Sequence, residues 1–387
     1  MEFTAPSGAI RRAGPTSTTS NAAVHADQGL AARAGAWTVF LGTLITTLGL
    51  SWDVQWHVEV GPDTFFTLSH LALYSGSAIS GIASLVMVLL ATSAQRAGRP
   101  WDRAIGGTPV RVFGGAFTAP LGYLISGVGA ASFLLYGLLD LWWHSLYGFD
   151  AVLNSPPHVA LFLSISITMV GSVIVFAAAR NLRWGQAGLV VAVPILMTFT
   201  PIVTNAFSAL PLPVDPVLLG TVFFSALLLI IGAALLPRPG GAIGIAVVLG
   251  ALQAFLWWFS PWAAHTYAAF VGLPLRDGLT PQPPQLPGGM PMFLILAAIA
   301  VELVFWQTRS RHLDGKTLMP VAGAAAGLIV ALTIPLQLAL TDPTSSTDPA
   351  TVAILAGAGL VLGALSGVLA GRFTIMLRAL APAGATS

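Results

Sequence analysis

The chain has no cysteine and only one lysine, Lys316, in 387 residues. Without cysteine there can be no disulfide, no iron–sulfur cluster and no thiolate metal site. Charge of either sign is scarce. Asp, Glu, Lys and Arg together make up 8% of the residues, where a soluble domain carries about 25%. Hydrophobic residues make up 56%, too many for the polar remainder to coat a water-soluble particle, which excludes a soluble enzyme. The formal net charge of +2 is too small for a nucleic-acid partner. Arg11–Arg12 is not followed by an apolar stretch, so neither a twin-arginine nor a Sec signal is expected. There is no phosphate loop, nucleophile elbow or HExxH motif.

What remains is a set of long apolar runs, about twice the roughly ten residues of a barrel strand. Ten have membrane length: 35–52, 68–93, 118–141, 157–178, 186–206, 216–236, 241–262, 290–307, 318–340 and 350–370. They predict an all-α, polytopic integral membrane bundle. Residues 1–34, rich in Ala, Gly, Ser and Thr, read as a disordered cytoplasmic tail, and 373–387 as a second cytoplasmic tail. With alternating spans, fifteen of the sixteen basic residues fall on one side, and only Arg276 falls on the other. Both termini are therefore expected in the cytoplasm. Trp52, Trp56, Trp142, Trp143, Trp257, Trp258 and Trp262 gather at the outer boundary, as an interfacial belt would. The outer segment 263–289 contains Pro-Gln-Pro-Pro-Gln-Leu-Pro-Gly-Gly and is expected to be a stiff cover or docking segment.

Two outer hairpins repeat each other. The first carries Asp53, His57, Gly61, Asp63 and His70; the second carries Asp140, His144, Gly148, Asp150 and His158. The spacings agree at every step except the last, where His follows His by thirteen residues in one copy and fourteen in the other. Asp and His four apart share a helical face, and the later His opens the returning helix. Each hairpin thus presents one carboxylate and two imidazoles, a three-ligand set with open positions for copper, iron or zinc. A single such residue near a membrane interface is ordinarily a hydrogen-bonded helix end. That reading does not account for the repeated spacing, and each ionisable group at membrane depth costs about 2.5–3.5 kcal/mol on insertion scales. Asp63 and Asp150 are candidates to accept the second ring N–H of a ligating His, or else simple turn residues after Gly.

At these positions the chain resembles the metal-binding segment of the third of the three subunits of the copper membrane monooxygenases, the particulate methane and ammonia monooxygenases. Asp53-Val-Gln-Trp-His57 with His70 matches that family's copper-binding Asp, His and His in type and spacing. Asp140, His144 and His158 match its second site, with Asp where the family has Asn. The resemblance covers about residues 35–180, which would form a metal-binding four-helix region, and 181–372 would be additional helices. It implies copper, dioxygen and a small apolar substrate, in a bacterial cytoplasmic membrane with the sites towards the extracytoplasmic side. It also implies partner subunits like the family's other two, as a trimer of heteromers.

Other residues carry weaker signals. His265 reads as an interfacial residue or as a contribution to a site from a third hairpin. Glu302, inside the eighth span, reads as a proton relay or a hydrogen bond to a neighbouring helix. Asn205 and Asp215 read as helix caps. The Gly-rich runs within 318–370 offer close-packing faces, either for another chain or for the bundle itself. Two alternatives to a monooxygenase subunit stay open: a copper-binding or structural membrane subunit without turnover, and a haem-binding electron carrier.

Overall fold

The computed structural model describes residues 17–148, 155–279, 282–311, 315–342 and 347–380; for residues 17–28 and 308–317 only the backbone is described. The described residues are mostly helical. In order it forms α1 (Ser17–Glu59), α2 (Leu68–Arg96), β1 (Pro109–Val112), β2 (Phe117–Pro120), α3 (Leu121–Tyr147), α4 (Pro156–Ala178), α5 (Arg183–Thr198), α6 (Thr200–Asn205), α7 (Pro216–Leu235), α8 (Gly241–Val271), α9 (Gln285–Gly288), α10 (Leu294–Arg311), α11 (Gly315–Thr341) and α12 (Pro349–Ala379). Among the described residues nine helical segments are long and apolar enough to cross a membrane, and Leu294–Gln307 is a shorter apolar helix at the expected eighth span. Large apolar side chains such as Leu135, Leu138, Val361 and Ile375 point outward, which suits hydrocarbon and not water. The chain is an integral membrane helical bundle.

Several boundaries differ from the sequence expectation. The helix of the first span starts at Ser17, so residues 17–34 are not a disordered tail; Ala22, Ala23, Ala26, Ala31 and Ala32 favour helix. Residues 1–16 lie outside the described residues. The last helix runs to Ala379, so residues 373–379 of the expected 373–387 tail are helical, and 381–387 lie outside the described residues. The fifth span breaks at Phe199, between α5 and the short α6, where Pro201 cannot donate to the preceding turn. The hairpin β1–β2 pairs antiparallel, with Val112 opposite Phe117, around the left-handed Gly114 and Gly115.

Two ends of the bundle can be told apart by what touches there. At one end Arg276 N donates to the Glu59 carbonyl, the Ser51 and Ser260 hydroxyls meet at 2.6 Å, and Gln253 donates to the Pro287 and Met290 carbonyls. At the other, Arg238 reaches Gln186 and Arg378 reaches the Ala234 carbonyl. The two hairpins α1–α2 and α3–α4 close tightly through small residues. A Cβ on Gly76 would stand 2.5 Å from the Thr46 nitrogen, and one on Gly129 would stand 2.5 Å from the Thr168 nitrogen. This close backbone approach sets the ends of the paired helices beside one another.

The glycine faces of the later spans are used inside the chain. Gly323 and Gly327 of α11 lie directly against Gly359, Gly363 and Gly367 of α12, with no room for a Cβ. Of the two uses open for these faces, these glycines pack helix on helix within the bundle. The cover segment also folds back on its own bundle. Helix α8 runs on to Val271 and ends at the left-handed Gly272; beyond it, Leu286, Pro287 and Met290 are buried, and Gln337 donates to the Gly288 and Met290 carbonyls. Among the tryptophans, Trp142, Trp258 and Trp262 are exposed as an interfacial belt requires, but Trp56 is 1% exposed. Its indole donates to the Pro62 carbonyl and packs on Tyr267, so it fastens the hairpin and does not face lipid.

Candidate metal centre

The first hairpin builds its site from a short turn. After Glu59 the chain reverses at Gly61, which is left-handed, and Pro62. The Thr64 N–H donates to the Thr67 hydroxyl at 2.8 Å, and this turn brings the Thr64 carbonyl beneath His70. Asp53 and His57 stand one turn apart near the end of α1, and His70 sits in the first turn of α2. Their ring nitrogens and carboxylate oxygens converge. His70 Nε2 is 3.0 Å from Asp53 Oδ1 and 3.3 Å from Asp63 Oδ2; His57 Nε2 is 3.1 Å from Asp63 Oδ2 and 3.9 Å from Asp53 Oδ2. Asp53, His57, Asp63 and His70 thus form one group of four ligand atoms within 4.8 Å of one another.

Asp63 lies among the ring nitrogens and is not simply a turn residue. Its carboxylate faces the Nε2 atoms that also face Asp53, so it belongs to the donor set. The second nitrogen of His70, Nδ1, is held instead by the Thr64 carbonyl at 2.9 Å. Ser69, overlooked in the sequence although it directly precedes His70, donates to Asp53 Oδ1 at 2.8 Å.

The second hairpin repeats the arrangement. Asp140 and His144 lie one turn apart near the end of α3. Ser155 caps α4, followed by Pro156 and Pro157, and His158 stands in that helix's first turn. His144 Nε2 and His158 Nε2 lie 3.4 and 3.5 Å from Asp140 Oδ1, and the three side chains form a second ligand group. His144 Nδ1 is 3.0 Å from the carbonyl of Gly148, the left-handed residue that ends α3. Asp150 lies outside the described residues.

The tautomers show what such groups can hold. A carbonyl oxygen only accepts, so Nδ1 of His70 and of His144 must carry the hydrogen. In the neutral ring this leaves a lone pair on Nε2, aimed at carboxylate oxygens that also carry only lone pairs. Such an arrangement needs a cation between its atoms, either a proton or a metal ion. Asp140 Oδ1 is buried and accepts no hydrogen bond although two imidazole nitrogens point at it. Fixing the tautomer through the far ring nitrogen is what a metal-ligating histidine requires, and nitrogen and oxygen donors without sulfur suit copper, zinc or iron.

Both groups open into one cavity of about 360 Å³. Its remaining wall is largely apolar, including Leu50, Phe133, Leu161, Phe162 and Ile165, with Tyr74 between the two groups. Tyr74 follows His70 by one turn and lies within electrostatic reach of Asp53, Asp63 and Asp140. Arg276, the one basic residue expected on this side, lines the same cavity beside Gly61, as does Gln285 from the cover segment.

The weaker candidates lie elsewhere. His265 joins neither group; its Nε2 is 2.9 Å from Glu59 Oε2. Glu302 accepts from the Ala242 N–H at 2.8 Å and so satisfies the start of α8, the hydrogen-bonding alternative of the two open for it. Asp215 caps α7. Asn205 is the last residue of α6.

Comparison with protein-family models, with curated proteins and with solved structures yields no match to this chain.

Proposed function

We propose that the two Asp/His groups hold metal ions and that the protein is the metal-bearing subunit of a copper-dependent membrane monooxygenase. The observation that carries this reading is the shared cavity. Two ligand groups from two repeated hairpins face one apolar-walled space of about 360 Å³, where a small apolar molecule fits beside both. Bound copper would supply the dioxygen chemistry, in which one oxygen atom enters a C–H bond and the other leaves as water, with two electrons and two protons drawn from a reductant. The rest falls to the chain's own side chains. Asp53, Asp63 and Asp140 supply negative charge, and His57, His70, His144 and His158 supply neutral nitrogen. The Thr64 and Gly148 carbonyls hold His70 and His144 in the tautomer that exposes Nε2. Leu50, Phe133, Leu161 and Phe162 keep bulk water out and give an apolar substrate its contact surface.

No flavin or iron–sulfur motif is present in the sequence, so electrons must come from a partner chain. The reading therefore places the protein in an assembly with other membrane subunits, its metal end on the extracytoplasmic side and both termini in the cytoplasm. The test is oxidation of a small hydrocarbon by the purified assembly under ¹⁸O₂ with a reductant. Label is expected in the alcohol product. A copper-loaded, reduced assembly that forms no labelled product contradicts the enzymatic reading.

A second reading draws on Asp63. With it, the first group offers four ligand atoms, enough to complete a tetrahedral site with no position left open. The first hairpin would then hold its metal without turnover. Metal retained at the first group of an inactive assembly fits this second reading.

A further inference from the structure

The end of the bundle away from the metal groups carries its own unexplained feature. Arg180, Arg183, Arg238 and Arg378 gather where α4, α5, α7, α8 and α12 end or begin, and no carboxylate among the described residues pairs with them. Among the described residues every carboxylate ion pair is with a histidine at the metal end. Among the described side chains at the arginine end, two carboxylates are already engaged with backbone: Asp102 accepts from the Ala104 N–H and Glu302 from the Ala242 N–H. Arg180 Nη1 is buried without a hydrogen-bond partner, and burial together with the neighbouring Arg378 pushes that guanidinium below its ordinary pKa. Among the described residues, this end carries an excess of positive charge with no carboxylate paired to it.

A groove of about 340 Å³ opens among these residues, lined by Arg183, Gln186, Val190, Leu236 and Arg238 and by the start of α8 at Gly240–Gly241. Arg238 is held in place: it donates to Gln186 Oε1 at 3.2 Å, and Gln186 donates in turn to the Arg180 carbonyl at 3.0 Å. Gly240, the residue before α8, has no side chain to cap the helix, and Glu302 accepts from the Ala242 N–H there. Further along α8, Ile243 and Val247 are 36% and 57% exposed and continue from the groove at helical spacing towards the membrane interior. A phosphate with two arginines on it and an apolar track leading away has the chemistry of an anionic lipid, with headgroup in the groove and acyl chain along α8.

We infer that this groove is a binding site for the phosphate headgroup of an anionic phospholipid, gripped by Arg183 and Arg238. Free phosphate shares the headgroup's chemistry but has no use for the exposed Ile243–Val247 track. The site is independent of the metal centre and of the function proposed for it.

Native mass measurement of the delipidated full-length protein tests this, with phosphatidylglycerol, phosphatidylcholine of the same chains, and inorganic phosphate as probes. The wild type should retain phosphatidylglycerol at least tenfold better than phosphatidylcholine, with a preference that falls as salt rises. Replacing both arginines, Arg183→Gln with Arg238→Gln, should reduce retention to the phosphatidylcholine level, while Arg183→Lys with Arg238→Lys should keep part of it. Equal retention of the two lipids by the wild type overturns the inference without any variant. So does a preference that survives the glutamine pair, or displacement of phosphatidylglycerol by equimolar inorganic phosphate.

Discussion

His70 Nε2 stands 3.0 Å from Asp53 Oδ1 across the α1–α2 hairpin, while the other nitrogen of the same ring is held 2.9 Å from the Thr64 carbonyl. The carbonyl fixes the hydrogen on Nδ1, so the nitrogen facing the carboxylate is the one with a lone pair. The same relation recurs between His144, Asp140 and the Gly148 carbonyl. The tautomer-fixing contact thus recurs in both hairpins, as the sequence repeat does.

Asp63 separates a metal ligand from a mere orienting group. Asp63→Ala should weaken copper binding at the first group by about a hundredfold or more, beyond the 10–100-fold typical of a residue that only orients a ligand. Binding at the second group should not change. Equilibrium competition with a chelator checks this; an unaltered first-site affinity would remove Asp63 from the ligand set.

Asp140 stands where the resembling family has Asn. A carboxylate favours the divalent over the monovalent ion, so Asp140→Asn should weaken divalent copper binding and raise the reduction potential of the second site. Redox titration followed by electron paramagnetic resonance reads both. Identical potentials in the two proteins would place Asp140 outside the coordination sphere.

Glu302 is engaged with the start of α8. Glu302→Ala should lower stability by about 1 kcal/mol, the scale of one lost hydrogen bond, and Glu302→Gln should leave copper content and turnover intact. Loss of turnover in the glutamine variant with copper content unchanged would instead mark Glu302 as a proton relay.

The α11–α12 seam makes a contrast within one helix. Gly363→Ala puts a Cβ against the Gly323 carbonyl, whereas Gly357 has open space around it. The first substitution should cost about 1–3 kcal/mol through overpacking and lower the unfolding temperature in detergent; Gly357→Ala should not lower it. Equal behaviour of the two would mean that the helices do not meet through these glycines.

Sidedness rests on the arginines. Reporter fusions at residues 62 and 106 should score on opposite faces of the membrane, with 106 in the cytoplasm. Scores on the same face contradict an odd number of crossings between them.

Much of this was legible in the sequence. Asp and His four residues apart on a helix must share a face, and long apolar runs with scarce charge must lie in a membrane. The convergence of the two groups on one cavity was not legible, because it depends on how α1–α2 packs against α3–α4, and long-range packing leaves no periodic trace. That Asp63 joins the first group was not legible for a related reason: the direction its carboxylate takes is set by the turn at Gly61–Pro62 and not by spacing. The β1–β2 hairpin escaped notice because four residues per strand are too few to stand out beside an apolar run. Tyr74 and Ser69 looked like ordinary helix residues, since their importance comes from what α1 and α3 place opposite them.

The central claim is that each hairpin holds its own metal ion. Copper stoichiometry of the purified protein, by elemental mass spectrometry, tests it most directly alongside the paired variants His57→Ala/His70→Ala and His144→Ala/His158→Ala. The account predicts two ions in the wild type and one in each paired variant, with helical content unchanged by circular dichroism because packing and not the metal holds the helices together. Unchanged metal content in both paired variants would contradict it.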